Sequence, residues 1–214
     1  MKFFVFGAVL LMLFALSACA TTRSAKRFEL TLLEAESDPA GDCDCADHSN
    51  SMDITQVGLW LVDEHSLMFE IVLTDDIPPS YDQNRSYGLL IDTDGNRGTG
   101  LDNGDIGSDF SILLYYSSES SLWYCILHDM VNTSRLSIIR SFTIHANAIT
   151  ISLPIAVIGD PNEIRWIAVT QVQPEITFSD IAPDTGHIRT RLPGEEKGKK
   201  KWVEPPPPSK GVEV

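Results

Sequence analysis

Apolar and more polar side chains alternate with a period of two along much of this chain, and this alternation restricts its possible folds more than any other feature. In the clearest run, Leu67, Phe69, Ile71 and Leu73 share one side of an extended segment while Glu70 lies on the other. Such alternation predicts a strand in a sheet with one buried face. Related runs recur at residues 54–62, 87–91, 110–116, 121–128, 136–144, 148–153 and 164–172.

Turn signals separate these runs at short intervals. Residues 63–66, 117–120 and 145–147 are polar, short and typical of hairpin connections. Residues 154–159 provide the one helical turn that the pattern predicts, ended by Gly159. Many short strands with frequent turns predict an all-β chain folded as an antiparallel β-sandwich.

Oxygen-bearing side chains concentrate where one predicted strand ends. Asp92, Asp94 and Asn96 occupy alternate positions directly after the strand, and Asp109 follows a glycine-rich stretch. Carboxylate and amide oxygens at close spacing suit Ca²⁺, which takes six to eight oxygen ligands in irregular geometry. We therefore predict a calcium site formed by these four residues.

The loop differs from an EF-hand. With Asp92 as its first position, the obligatory glycine would be Arg97 and the bidentate glutamate would be Asn103. Strands rather than helices are also predicted on both sides. The alternative to a metal site is a solvated turn, in which Asp and Asn side chains form hydrogen bonds with nearby backbone groups.

The chain begins with a hydrophobic leader. Residues 1–18 start with a lysine and continue as an apolar run that is short for a bilayer-spanning helix, which predicts a signal peptide. Residues 16–19 (Leu-Ser-Ala-Cys) resemble the lipobox of bacterial lipoproteins. The resemblance implies lipidation at Cys19, and Ala20 after it implies sorting to the outer membrane, on its periplasmic or surface face.

Three further cysteines leave room for at most one intramolecular disulfide. Cys43 and Cys45 lie in a short acidic stretch that ends at His48, and Cys125 lies within a predicted strand. A bridge between that stretch and Cys125 is our hypothesis for an oxidising compartment, because a Cys43 to Cys45 bridge would be strained. We predict that the stretch with Cys43 and Cys45 is a flexible loop. A site for a soft transition metal is the alternative, but the C-x2-C spacing of zinc sites is absent.

The order of several short motifs resembles the β-sandwich superfamily that contains DOMON domains and family 9 carbohydrate-binding modules. The resemblance covers residues 38–190 and is formed by residues 38–42 (Asp-Pro-Ala-Gly-Asp), 53–57, 91–100, 107–109 and 178–186. It implies a jelly-roll-like sandwich without catalysis, often stabilised by calcium, that binds sugar or, in other branches, haem.

This resemblance also extends to individual residues. Asp92 and Asp94 match an acidic loop at a strand end, and Asp109 matches an acidic residue after glycine. Sugar binding in these modules uses exposed aromatic side chains, and we take Trp123 and Tyr124 as the candidate ligand platform, with Trp60 and Tyr115 as alternative candidates by residue type. The alternative is that these two aromatics are core or cross-strand partners.

Charge and composition divide the chain and limit its partners. The net charge is −14, and every lysine lies outside residues 38–190, which disfavours binding to nucleic acid. We predict a linker at 19–37, a sandwich domain at 38–192 and a disordered tail rich in Lys and Pro at 193–214. The tail is interpreted either as a frayed terminus or as a segment that contacts anionic polymer.

Motifs of common hydrolases, zinc peptidases and phosphate-binding loops do not occur in the sequence. We therefore expect a non-enzymatic, membrane-anchored binding module at the bacterial cell envelope, stabilised by calcium and recognising carbohydrate. The alternative is an envelope lipoprotein that binds another protein or serves a structural role without sugar binding. A haem-binding DOMON domain is a further alternative.

Overall fold

A computed structural model describes residues 30–44, 50–132, 136–172 and 177–193. The predicted signal peptide, the lipidation site at Cys19 and nearly all of the predicted tail lie outside these residues. Strands make up most of the described chain. In chain order they are β1 Thr31–Ser37, β2 Ile54–Asp63, β3 Ser66–Leu73, β4 Arg85–Asp92, β5 Leu101–Asp102, β6 Gly107–Ser108, β7 Phe110–Ser117, β8 Leu122–Asp129, β9 Leu136–Ile138, β10 Phe142–His145, β11 Ala148–Pro154, β12 Glu163–Val172, β13 Asp180–Ala182 and β14 Ile188–Arg191.

Two antiparallel sheets pack against each other and form a β-sandwich, which confirms the predicted fold class. The smaller sheet has the order β1-β2-β3-β11-β10, and the larger has the order β13-β12-β4-β7-β8-β9 with β14 also paired to β12. The strands β5 and β6 form a separate two-stranded ribbon between β4 and β7. Short 3-10 turns occur at Asn50–Met52 and Ile155–Ile158, and the second is the predicted helical turn.

Alternation along the strands produces the core between the sheets. In β3 every second residue, from Leu67 to Leu73, is buried, as the sequence pattern predicts. Trp166 of β12 packs edge-on against Phe69 at 5.4 Å between ring centroids. Its indole N–H donates a hydrogen bond of 3.1 Å to Thr190 Oγ1. The core therefore joins the two sheets and also holds β14 at the edge of the larger one.

The strand β4 is buried on both faces. Its inner side chains enter the main core, while Leu90 on its outer face is covered by Ile106, Ile167 and Phe178. The excursion that contains β5 and β6 thus folds back over the end of β4. This arrangement brings the acidic residues at both ends of the excursion close together.

The sandwich begins earlier than the predicted boundary at Asp38. The strand β1 pairs with β2 from Thr31 to Ser37, within the segment predicted to be a linker. Its side chains are mostly exposed, so it lacks the alternation that marks a half-buried strand. The run at 136–144 is likewise divided into β9 and β10, which belong to different sheets.

The hypothesis of a disulfide at Cys125 is wrong. Cys125 is a free thiol on β8 whose side chain is buried in the core, and burial raises its pKa to about 12. Cys43 is disulfide-bonded. Because strand β8 directs Cys125 between the sheets, this thiol is not available to the loop that carries Cys43.

Candidate functional site

The end of β4 forms a tight turn around the carboxylate of Asp92. Asp92 Oδ1 accepts hydrogen bonds from the backbone N–H groups of Asp94 at 3.2 Å and Gly95 at 2.6 Å. Gly95 has a φ of +71°, a conformation that favours glycine. The turn therefore fixes Asp92 at the base of the loop and leaves its other oxygen, Oδ2, for a different partner.

Asp109 lies at the opposite end of the excursion, between β6 and β7. Its backbone N–H donates a 2.9 Å hydrogen bond to the Ile91 carbonyl, which ties it to the end of β4. Its Oδ2 accepts hydrogen bonds from the N–H and the hydroxyl of Thr93, both at 2.8 Å. Asp92, Asp94 and Asp109 thereby present carboxylate oxygens that lie within 4.8 Å of one another. We call these three residues the hairpin site.

Two oxygens in the hairpin site are buried without a hydrogen bond. They are Asp92 Oδ2 and Asp109 Oδ1, and the two residues are only 1% and 4% exposed. The nearest cationic group, Arg165 Nη1, lies 3.9 Å from Asp92 Oδ2, which exceeds a hydrogen-bond length. Buried polar atoms are normally paired, so this pair of oxygens fits a cation ligand set.

The electrostatics of the hairpin site follow from this burial. Burial raises the pKa of Asp92, and the neighbouring Asp109 carboxylate adds to the increase. The N–H groups of Gly95 and Asp94, together with the Arg165 guanidinium, act in the opposite direction. A divalent cation between the carboxylates would favour their charged forms and remove the repulsion between them.

Asn96, the fourth predicted ligand, has a side chain engaged within the loop. Its Oδ1 accepts a 3.0 Å hydrogen bond from the Gly98 N–H, and its backbone N–H donates to Asp94 Oδ1 at 2.8 Å. Its position thus supports the turn that presents Asp94. The structure brings the three predicted aspartates together and places the Asn96 side chain in the turn beside them.

Glycine allows the backbone of the loop to pack closely beside the hairpin site. Gly100 has a φ of +63°, and a Cβ there would collide with the carbonyl oxygen of Ser108. Close approach of the two backbone segments therefore requires glycine at this position. An open cleft of about 340 Å³ beside the loop is lined by Thr93, Asp94, Asp109 and Asp129, among others.

A second group of acidic residues lies at the edge where the two sheets meet. The sequence analysis did not assign these residues to a metal site. Carboxylate oxygens of Asp38, Asp42 and Asp184 lie within 4.8 Å of one another, and so do those of Asp42, Asp53 and Asp180. We call these residues the five-aspartate cluster. The available signal was the repeated pair of aspartates four residues apart, at 38 and 42 and at 180 and 184, each pair with a proline between its members.

The pKa values in the five-aspartate cluster reflect its burial and its like charges. Burial, followed by the charges of Asp180, Asp184 and Asp42, raises the pKa of Asp38 to about 7. Burial also raises the pKa of Asp42 to about 6, with a further contribution from its hydrogen bond to the Asp184 side chain. The Asp180 pKa is raised as well, mainly by burial. The cluster thus concentrates negative charge where solvent screens it poorly.

The two predicted platform residues face opposite sides of the larger sheet. Trp123 is half-buried on the inner side, where its ring lies 5.2 Å from Tyr116 and 5.9 Å from Tyr87. Tyr124 faces outward, is 39% exposed and stacks on Tyr115 at 5.3 Å with an interplanar angle of 22°. Of the two predicted platform residues, Tyr124 is therefore the one whose ring lies at the outer surface, where it pairs with Tyr115.

No protein-family model matches this chain, and no curated protein sequence does either. Among the described residues, no helix has both the length and the apolar character that crossing a bilayer requires.

Proposed function

We propose that this chain is a non-enzymatic binding module, lipid-anchored through Cys19 at the bacterial cell envelope, whose hairpin site holds Ca²⁺. One observation carries the cation assignment: the buried oxygens Asp92 Oδ2 and Asp109 Oδ1 have no hydrogen-bond partner. Leaving such groups unpaired is costly, and a cation between them would satisfy both.

The chemistry of the donors favours calcium. The hairpin site consists of carboxylate oxygens, which are hard ligands suited to Ca²⁺, Mg²⁺ and Mn²⁺ rather than to soft metals. Its donors come from an irregular loop, and Ca²⁺ tolerates irregular geometry whereas Mg²⁺ requires a near-ideal octahedron. Water from the adjacent cleft would complete the coordination shell.

The ligand surface in this proposal is the outer face of β7, β8 and β9. Tyr124 and Tyr115 form a stacked pair there, and a pair of aromatic rings offers an apolar face with polar hydroxyl edges. Sugar rings also combine an apolar face with polar edges. Carbohydrate is therefore the ligand class that this pair suits best.

A protein partner is the second candidate, and exposed aliphatic side chains on the same sheet face as the tyrosines favour it. Leu122, Leu136 and Ile138 lie on this outer face and are 54%, 62% and 77% exposed. Several exposed apolar groups on one face are typical of protein interaction surfaces. This candidate retains the calcium site and changes only the ligand.

Calorimetric titration of CaCl₂ into the chelator-treated, full-length chain in detergent tests the cation assignment. We expect saturable binding that decreases by at least one equivalent in the Asp92→Asn/Asp94→Asn variant. Asp105→Asn is the matched control, because Asp105 is an exposed acid of the same loop. Unchanged stoichiometry and affinity in the double variant would refute calcium binding at the hairpin site.

A glycan array distinguishes the two ligand classes. If carbohydrate is the ligand, Tyr124→Leu should abolish binding while Tyr124→Phe, which keeps the ring, should preserve it. If the array gives no signal, and Leu136→Ser/Ile138→Ser abolishes capture of a defined envelope protein by the wild-type chain, the protein-binding candidate replaces the carbohydrate one.

A further inference from the structure

The five-aspartate cluster is formed by three separate parts of the chain, residues 38–42, residue 53 and residues 180–184. Asp38 and Asp42 flank the turn after β1, Asp53 directly precedes β2, Asp180 begins β13, and Asp184 lies between β13 and β14. The strands β1 and β2 belong to the smaller sheet, whereas β13 and β14 belong to the larger one. The cluster therefore spans the edge at which the two sheets meet.

An unpartnered oxygen points to a ligand in this cluster. Asp38 is only 8% exposed, and its Oδ2 is buried without a hydrogen bond. The same side chain belongs to the oxygen group with Asp42 and Asp184. Within the described parts of the chain, no arginine forms an ion pair with any member of the cluster. Carboxylates at this separation repel one another, and either a shared proton or a bound cation relieves the repulsion.

Backbone groups hold two of the acids in place. Both carboxylate oxygens of Asp53 accept hydrogen bonds from the Gly41 N–H, at 3.0 and 2.9 Å. Asp180 Oδ2 accepts from the Ile54 N–H at 2.6 Å, and its Oδ1 accepts from the Ile181 N–H at 2.7 Å. Asp53 Oδ2 also accepts a hydrogen bond from the Thr74 hydroxyl, so both of its lone pairs are used. A carboxylate oxygen has two lone pairs, so Asp53 Oδ1 and both oxygens of Asp180 keep acceptor capacity for a cation.

We propose that the five-aspartate cluster is a second divalent cation site, suited to Ca²⁺, which fastens the N-terminal strands of one sheet to the C-terminal strands of the other. Its donors are carboxylate oxygens from three chain segments, an arrangement that the flexible coordination of Ca²⁺ accommodates and the rigid octahedron of Mg²⁺ does not. The site shares no residue with the hairpin site. Each of the two cation sites can therefore be confirmed or refuted independently of the other.

The test uses full-length chain in detergent, treated with chelator and titrated with CaCl₂. We expect the Asp42→Asn/Asp184→Asn variant to lose at least one bound equivalent that the Asp92→Asn/Asp94→Asn variant retains. Asp42 and Asp184 are exposed, so their isosteric substitution should leave the fold intact, which circular dichroism verifies. Asp82→Asn, an exposed acid outside both sites, is the control. Equal calcium stoichiometry and affinity in wild type and Asp42→Asn/Asp184→Asn would overturn the proposal.

Thermal melting separates this site from the hairpin site. In the Asp92→Asn/Asp94→Asn background, a saturating concentration of CaCl₂ should still raise Tm by about 5 °C. Adding Asp42→Asn/Asp184→Asn should abolish this increase. A calcium-dependent increase that persists in the fourfold variant would overturn the second site, whereas loss of the increase already in the Asp92→Asn/Asp94→Asn background would place all stabilisation at the hairpin site.

Hydrogen exchange tests whether a bound cation stabilises the chain segments that the five-aspartate cluster connects. CaCl₂ should slow exchange in peptides that cover residues 38–44 and in peptides that cover residues 180–186, and it should do so in wild type and in Asp92→Asn/Asp94→Asn. Protection confined to residues 92–109 would overturn the proposal. Equal protection and equal affinity with MgCl₂ would overturn the assignment to calcium.

Discussion

The hairpin site and the five-aspartate cluster both consist of aspartate side chains, but they connect different kinds of chain segment. The hairpin site lies within one excursion between neighbouring strands β4 and β7 of a single sheet. The five-aspartate cluster joins segments that belong to different sheets. A cation in the first would stiffen a loop, whereas a cation in the second would hold the edge of the sandwich closed. The effect of a bound ion on the fold therefore depends on which chain segments its carboxylate ligands join, and not only on the chemistry of those ligands.

The largest effect we expect is the loss of stability when calcium is removed from both sites. At a calcium concentration of about 100 times Kd, each site contributes about 2.7 kcal/mol, so chelation should lower the free energy of unfolding by about 5 kcal/mol. Urea denaturation with CaCl₂ or with chelator measures this difference. Asp92→Asn/Asp94→Asn and Asp42→Asn/Asp184→Asn should each remove about half of it. A full calcium effect in either double variant would contradict the comparison.

A pair of glycine substitutions compares how tightly the two regions are packed. Gly100→Ala should lower the free energy of unfolding by about 3 kcal/mol, because it combines a positive φ with a collision against the Ser108 carbonyl. Gly41→Ala should cost about 1 kcal/mol, since its φ is +90° but nothing lies within 4 Å of its Cβ. Urea denaturation of the chelator-treated variants gives both values. Equal costs would show that the loop of the hairpin site is no more closely packed than the turn in the cluster.

The stability of the chelator-treated protein should increase as pH falls from 8 to 5. The pKa values of Asp38 and Asp42, about 7 and about 6, lie above the ordinary value of an aspartate side chain, so the folded state binds protons more tightly than the unfolded chain. This contribution is fully present only below the unfolded pKa and is lost as pH rises through the folded values. We expect a change in Tm on the order of a few degrees.

The matched measurement for this pH dependence uses Asp42→Asn, which should reduce the change in Tm. CaCl₂ should also reduce it, because bound cation favours the charged carboxylates. A Tm that falls steadily between pH 8 and pH 5 in the chelator-treated wild type would contradict the assignment of these raised pKa values.

The smallest effect concerns the positive charge beside the hairpin site. Arg165 Nη1 lies 3.9 Å from Asp92 Oδ2 and would repel a bound cation, so Arg165→Gln should tighten calcium binding there by about threefold. Binding at the five-aspartate cluster should not change. Calorimetric titration measures both affinities, and Arg189→Gln is a control at the same sheet edge, since Arg189 pairs with Glu163 instead. Weaker or unchanged binding in Arg165→Gln would contradict this prediction.

Local patterns in the sequence predicted most of the sandwich. The eight alternating runs correspond to β2, β3, β4, β7, β8, β11, β12 and the pair β9 and β10. The strands β5, β6, β13 and β14 are two to four residues long, which is too short for alternation to be recognised. The edge strand β1 lies in the segment predicted to be a linker. Alternation over residues 28–32 indicates a possible strand at its start, but most of its side chains are exposed and define no buried face.

The ligand platform illustrates a different limit of sequence analysis. Adjacent residues in a strand face opposite sides, so Trp123 and Tyr124 could not both belong to one platform. The sequence does not state which of them faces the core. Packing decided it: Trp123 contacts Tyr81, Tyr87 and Tyr116, while Tyr124 stacks on Tyr115 at the outer surface.

Local sequence patterns were enough to predict the all-β sandwich and the grouping of Asp92, Asp94 and Asp109, because alternation and a single chain excursion are local properties. The contact between Asp38 and Asp184 and the enclosure of Cys125 in the core could be seen only in the folded molecule. Residues 146 positions apart come together through the pairing of strands and the packing of two sheets. Those long-range contacts depend on every intervening strand, so no local pattern in the sequence encodes them.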